Sequence, residues 1–221
     1  MEDSKWARYA ALGGFVFVVL NVVAGFLPGV PPASDDSATE VAKYFKDNAT
    51  NIQTAQALAL LGTIGLAWWF GSLFRRMRAA EGGDPRLSVV ALLGLALGGA
   101  TAIMSGAITA ATAMRIDDFG TGGEGAVRLF YSLSLVVIAS SAAGVIIFLS
   151  AFGALNYRAR MFPAWTSYLA WLAAAGFLVG LFSVCTDASA INSIGFISFL
   201  VWCVWIVAIS WLMWREASPT S

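Results

Sequence analysis

The chain has 221 residues, 59% of them hydrophobic and 12% charged, with 13 basic and 13 acidic side chains and no histidine. A soluble domain carries roughly 45–50% apolar and about 25% charged residues, so water is not the main solvent of this surface. Zero formal net charge leaves no electrostatic footprint for a nucleic acid. The missing histidine removes the usual general base and the commonest ligand for zinc, copper and haem iron, so neither a metal nor a cofactor is expected.

Six apolar runs lie at about 9–27, 52–74, 87–114, 127–155, 164–185 and 194–214, with no Asp, Glu, Lys or Arg in their interiors. Each is close to the roughly 20 residues that cross about 30 Å of hydrocarbon. A helix satisfies its own backbone in lipid, and no alternating strand pattern competes. The expected fold is all-α, a polytopic bundle of six transmembrane spans forming one domain over 1–221.

The first run follows Lys5 and Arg8 and precedes Pro31-Pro32-Ala33, as a secretory signal would. A signal core has about 7–15 residues, and this run is longer, so it is read as a retained span. Pro28, Pro31 and Pro32 end it. Within the following loop, 28–50, Ser37 or Thr39 can cap a short amphipathic helix over 37–49, with Val41, Tyr44 and Phe45 on one face. That helix is expected to rest on the spans at the interface. Asn48-Ala49-Thr50 matches a glycosylation acceptor, but 10 Arg beside 3 Lys, with much Ala and Gly, suggest a GC-rich bacterial genome in which the sequon has no meaning.

The third span carries Gly94, Gly98, Thr101, Ser105, Thr109 and Thr112 on one helical face and no aromatic. Small residues allow close helix approach in lipid, which places this span at the centre of the bundle. Gly120 to Gly125 spells the dinucleotide fingerprint, but no strand precedes it, so it is read as a turn between the third and fourth spans. The fifth span has a comparable line through Ala173, Gly176, Gly180, Ser183 and Asp187, whereas Phe196, Phe199, Trp202 and Trp205 suit the sixth span to the periphery. Cys185 and Cys203 differ in depth by about 12–14 Å, too far for a disulfide, and are read as free packing thiols.

Two spans end alike. Phe70-Gly71-Ser72-Leu73 before Arg76 and Arg78 matches Phe152-Gly153-Ala154-Leu155 before Arg158 and Arg160, with Gly62 and Gly144 in the same register. The pattern suits either a duplication of hairpins or shared interface chemistry. Basic residues set the orientation. With the amino terminus inside, Lys5, Arg8, Arg75, Arg76, Arg78, Arg86, Arg158, Arg160 and Arg215 are cytoplasmic against Lys43, Lys46, Arg115 and Arg128 outside, nine to four. Both termini are therefore expected in the cytoplasm, and Arg75, Arg76, Arg78, Arg86, Arg158 and Arg160 form a ring that could meet anionic lipid.

Polar groups inside the spans gather toward the outer half. Asn21, Gln56, Thr109, Thr112, Ser183 and Asp187, with Arg128 at the mouth, are the candidates for an outward-facing ligand pocket, Asp187 being singled out as a partner for Arg128 or a ligand head group. A buried amide without a partner costs roughly 1–3 kcal/mol, so Asn21 and Gln56 are expected to bond each other or water. Among functional classes, a non-enzymatic accessory subunit or binder of lipid or another hydrophobic ligand fits the missing histidine and the uncharged interiors. A small-solute transporter or homo-oligomeric channel is the alternative, although no intramembrane carboxylate supports proton coupling. An enzyme is not expected, since only Asp187 with Ser183, Cys185 or Thr186 offers even a partial catalytic grouping. The expected partners are membrane lipids, then other membrane proteins or a second copy.

Leu27-Pro28-Gly29 with its acidic loop, Phe70-Gly71-Ser72-Leu73 before a basic turn, and Phe162-Pro163-Ala164-Trp165 opening the fifth span carry a resemblance. On them the chain resembles a domain-of-unknown-function family of actinobacterial six-helix membrane proteins. The resemblance implies a six-helix domain in a bacterial plasma membrane, and it implies no activity or site residues.

Overall fold

The computed structural model describes residues 2–33, 36–185 and 189–216, with the side chains of 9–33, 36–185 and 193–216. Its helices are α1 (Glu2–Phe26), α2 (Ala38–Glu81), α3 (Arg86–Met114), α4 (Glu124–Ala159), α5 (Trp165–Leu181) and α6 (Ser189–Glu216), with 3-10 turns at Ile116–Phe119 and Phe182–Val184. No strand occurs among the described residues. All six helices are long and apolar enough to cross a membrane. The start of α1, the end of α6 and the turns after α2 and α4 lie at one end of the antiparallel bundle, here the basic end.

The amphipathic stretch expected as a separate helix over 37–49 is instead the start of α2, which runs unbroken for 44 residues, about 66 Å at the usual helical rise. No Pro or Gly interrupts residues 38–61, so nothing in the sequence stops the helix once it has started. Its start is a capping box: Ser37 Oγ accepts from the Glu40 amide while Glu40 accepts from the Ser37 amide. Val41, Phe45 and Ile52 bury their shared face against Ala113 of α3 and Val127 and Tyr131 of α4. The Tyr131 hydroxyl donates to Pro32 O at 2.7 Å, which ties the proline loop to this layer.

The expected centre of the bundle is corrected. α4 packs against α2, α3 and α5, whereas α3 touches only α2 and α4 among the helices in close contact. Half of α4's apolar window is buried, against 22% of α3's. The small-residue face of α3 serves one close contact. A β-carbon at Gly94 would lie 2.6 Å from Phe148 N and 2.7 Å from Gly144 O, so the α3 and α4 backbones touch there. Away from that contact Ala91, Leu95 and Ala113 are buried, whereas Leu92, Leu93, Leu97 and Met104 are exposed on the outside of the bundle.

The sixth helix is corrected as well. Trp205 is fully buried and Trp202 nearly so. Trp205 meets Trp69, Phe148 and Phe152 edge to face, at 4.7–5.9 Å between centroids. Trp202 meets Phe17 and Phe177 in the same manner. Such pairs add to the contact area they bury. They belong to one core to which all six helices contribute, α3 through Ala91 and Leu95. The small-residue line of α5 faces α6, with Gly176 against Ser198 and Gly180 against Gly195.

Two polar clusters close the basic end, one part-buried around Glu81 and one buried around Asn156. Glu81, beyond the apolar run 52–74, accepts from the Leu87 and Ser88 amides and the Ser88 hydroxyl, so the last residue of α2 caps the first turn of α3. Burial pushes its carboxyl up, but these hydrogen bonds outweigh that and hold it below the ordinary carboxylate value. At the next turn, Arg160 adopts the left-handed conformation. Asn156 spans the turn, donating to Thr166 Oγ1 and Ser167 Oγ and accepting from the Phe162 amide.

Candidate functional site

Gln56, Ala59, Leu60 and Thr63 lie on one face of α2 at helical spacing, and opposite them Ala102, Ile103, Ser105, Gly106, Thr109 and Ala110 belong to α3. Between them runs a groove of about 300 Å³, completed by Asn21 of α1 and Ile138 of α4. Such a volume is at the lower end for a small-molecule site. Two glycines make the room. A β-carbon at Gly106 would fall 2.5 Å from Gln56 Oε1, and one at Gly62 would fall 2.5 Å from Asn21 Nδ2. Each amide therefore occupies the space that a larger residue on the neighbouring helix would fill.

The polar inventory of the groove is uneven. Thr63 and Thr109 donate their hydroxyl protons to carbonyls of their own helices, Ala59 O and Ser105 O, and Ser105 donates to Ser134 O on α4 at 2.8 Å. These hydroxyls are left as acceptors. Asn21 donates one amide proton to Phe17 O at 3.0 Å, a bond within its own helix and not to Gln56. Gln56 bonds to no described residue. Among the described residues no lining side chain is charged. Leu60, Ile103 and Ile138 are each two-fifths to one-half exposed, so the rim on the side of the bundle is made of apolar side chains.

Of the residues expected at a pocket, Asn21, Gln56 and Thr109 meet here, and Thr112, Arg128 and Ser183 do not. Thr112 is buried and bonds to Ile108 O within α3. Arg128 is exposed at the start of α4, and Ser183 is half-buried in the 3-10 turn after α5. Asp187 lies outside the described residues, so its expected pairing with Arg128 is not placed. Thr63 and Gly106 complete the groove without having been anticipated. The Gly106 signal was its position on α3 between Ser105 and Thr109, but a glycine that merely leaves room has no polar signature.

At the basic end, Arg75, Arg78, Arg86, Arg158 and Arg160 are exposed. Arg76 is set apart: it pairs with Glu216 of α6 and lies 5.9 Å over the Phe162 ring, joining the ends of α2 and α6 to the turn between α4 and α5. Cys185 is exposed and Cys203 buried, both free thiols. Among the described residues no cluster of acidic or thiol side chains could hold a metal ion. Comparison with protein-family models, curated proteins and solved structures finds no match to this chain.

Proposed function

We propose that the chain is a non-enzymatic, multi-pass protein of a bacterial plasma membrane, with both termini cytoplasmic, that takes a lipid or other hydrophobic ligand sideways into the groove between α2 and α3. The observation that carries this reading is the pairing of an apolar lateral rim at Leu60, Ile103 and Ile138 with an uncharged polar floor at Gln56, Asn21 and Thr109. A water-soluble substrate would enter from an aqueous end, and a charged one would meet a charged partner. The basic end, with Arg75, Arg78, Arg86, Arg158 and Arg160 exposed, supports the cytoplasmic assignment and contact with anionic headgroups there. The aromatic core around Trp69, Phe148, Phe152 and Trp205 favours binding over a solute path through the bundle. The reading is in line with the resemblance to actinobacterial six-helix membrane proteins.

Photo-cross-linking tests it. Reconstitution in vesicles doped with a phosphatidylcholine bearing a diazirine on its acyl chain is expected to label residues 56–63 and 102–110 above the level on other lipid-facing segments. Labelling no greater there than around Leu92 and Leu93 would remove the groove as a ligand site.

A further inference from the structure

The groove's depth and hydrogen-bond inventory identify which part of a ligand it reads. Helix α3, Arg86–Met114, has 29 residues, about 43 Å, which matches a whole bilayer of about 40–45 Å with its headgroup regions. The hydrocarbon core is about 30 Å thick, so its edge lies roughly 6–7 Å in from each end of α3. Thr109 is about 7 Å from the Met114 end by helical rise, level with that edge. Gly106, against which Gln56 lies, is about one turn deeper. This is the zone in which acyl chains join their glycerol backbone.

The donors in the groove are also specific. Thr63, Thr109 and Ser105 spend their protons on backbone carbonyls, so free N–H groups come from Gln56 and from the second amide proton of Asn21. An amide N–H at the hydrocarbon edge without a partner is costly, and a ligand carbonyl would satisfy it. Without a charged side chain among the described lining residues, a phosphate would be buried there without a partner. A cavity of about 300 Å³ holds about ten water-sized groups, enough for one ester and the first part of its chain and too little for a whole lipid.

Resting on the lipid-binding reading above, we infer that the groove binds a glycerophospholipid of the leaflet opposite the basic end through one acyl-ester carbonyl. The Gln56 amide donates to that carbonyl, Asn21 lies within the same polar floor, the chain passes out between Leu60 and Ile103, and the phosphate stays in the headgroup layer.

Ester and ether lipids separate this inference from the reading beneath it. The protein is reconstituted in vesicles containing equal amounts of diester phosphatidylcholine and a dialkyl-ether phosphatidylcholine of the same chains. It is then extracted in mild detergent, and retained lipid is counted by native mass spectrometry. One net hydrogen bond of about 0.5–1.5 kcal/mol corresponds to roughly 2- to 12-fold enrichment of the diester. Gln56→Met, apolar and of similar length, is expected to abolish the enrichment while lipid is still retained. Gly106→Ala, which displaces only the end of the Gln56 side chain, is expected to reduce it in a chain that packs normally elsewhere. Retention of ester and ether lipid in equal amounts, or enrichment unchanged in both variants, overturns the ester reading and leaves the groove as a lipid site. Retention of neither lipid overturns both.

Discussion

Asn156 is 1% exposed, and both its amide protons and its carbonyl oxygen are engaged. It substitutes for water in a turn where the chain reverses between α4 and α5. Asn156→Leu keeps the size but leaves the Phe162 amide without an acceptor, and a buried group so orphaned costs about 1–3 kcal/mol. Chemical unfolding in mixed micelles should show that loss; an unchanged midpoint would mean that the turn is held by its apolar contacts alone. Nothing in the sequence singles out Asn156, because its partners lie ten and eleven residues on, across a reversal. Asn21, Gln56 and Thr109 were legible for a simpler reason. Depth in a membrane follows from counting residues at a fixed rise, and these three lie at similar depth. Counting also gives the face of a helix a residue lies on, but not which neighbouring helix that face meets, which is why Thr112 and Ser183, chosen on the same grounds, stay out of the groove.

Close contact between helices is decided by which atoms a side chain would meet. At Gly94 they are backbone atoms of α4 at 2.6 and 2.7 Å, so Gly94→Ala must push two helices apart, at a cost of about 1–3 kcal/mol. At Gly71 there is nothing within 4 Å, and Gly71→Ala should stabilise by about 0.4–1 kcal/mol through the unfolded chain. Opposite shifts of the unfolding midpoint are the expected result; equal shifts would show that the α3 to α4 contact yields without cost. The paired motifs divide in the same way. Gly62 presses on α1 and Gly144 on α3, each on the preceding helix, but Gly153 receives Trp171 whereas Gly71 faces nothing. A stripe of small residues thus reports one tight neighbour and says little about centrality, which is how α3 came to be expected in the middle. The sixth helix misleads for a related reason. Lipid is as apolar as a protein core, so hydropathy cannot tell a Trp205 that faces Phe152 from one that faces lipid.

Six apolar runs with uncharged interiors made the architecture legible, since a membrane-spanning helix admits few other patterns. Orientation rests on charge bias, and it has a direct test. In a variant lacking Cys185 and Cys203, single cysteines within 38–50 or 116–123 should react with a membrane-impermeant maleimide added to intact cells, and cysteines within 82–84 should react only after lysis. The opposite pattern would put the basic end outside.

The unbroken hydrogen bonding of α2 from Ala38 to Glu81 has a mechanical corollary. Phe45, wedged against Tyr131, and Gln56, on the groove floor, are separated by about three turns with no proline, glycine or bulge between them. Hinges need such a break, so this stretch of α2 moves as one stiff rod clamped at its far end. Any change in the width of the groove then falls to its other walls, as a sideways shift of α1 over Gly62 or of α3 over Gln56.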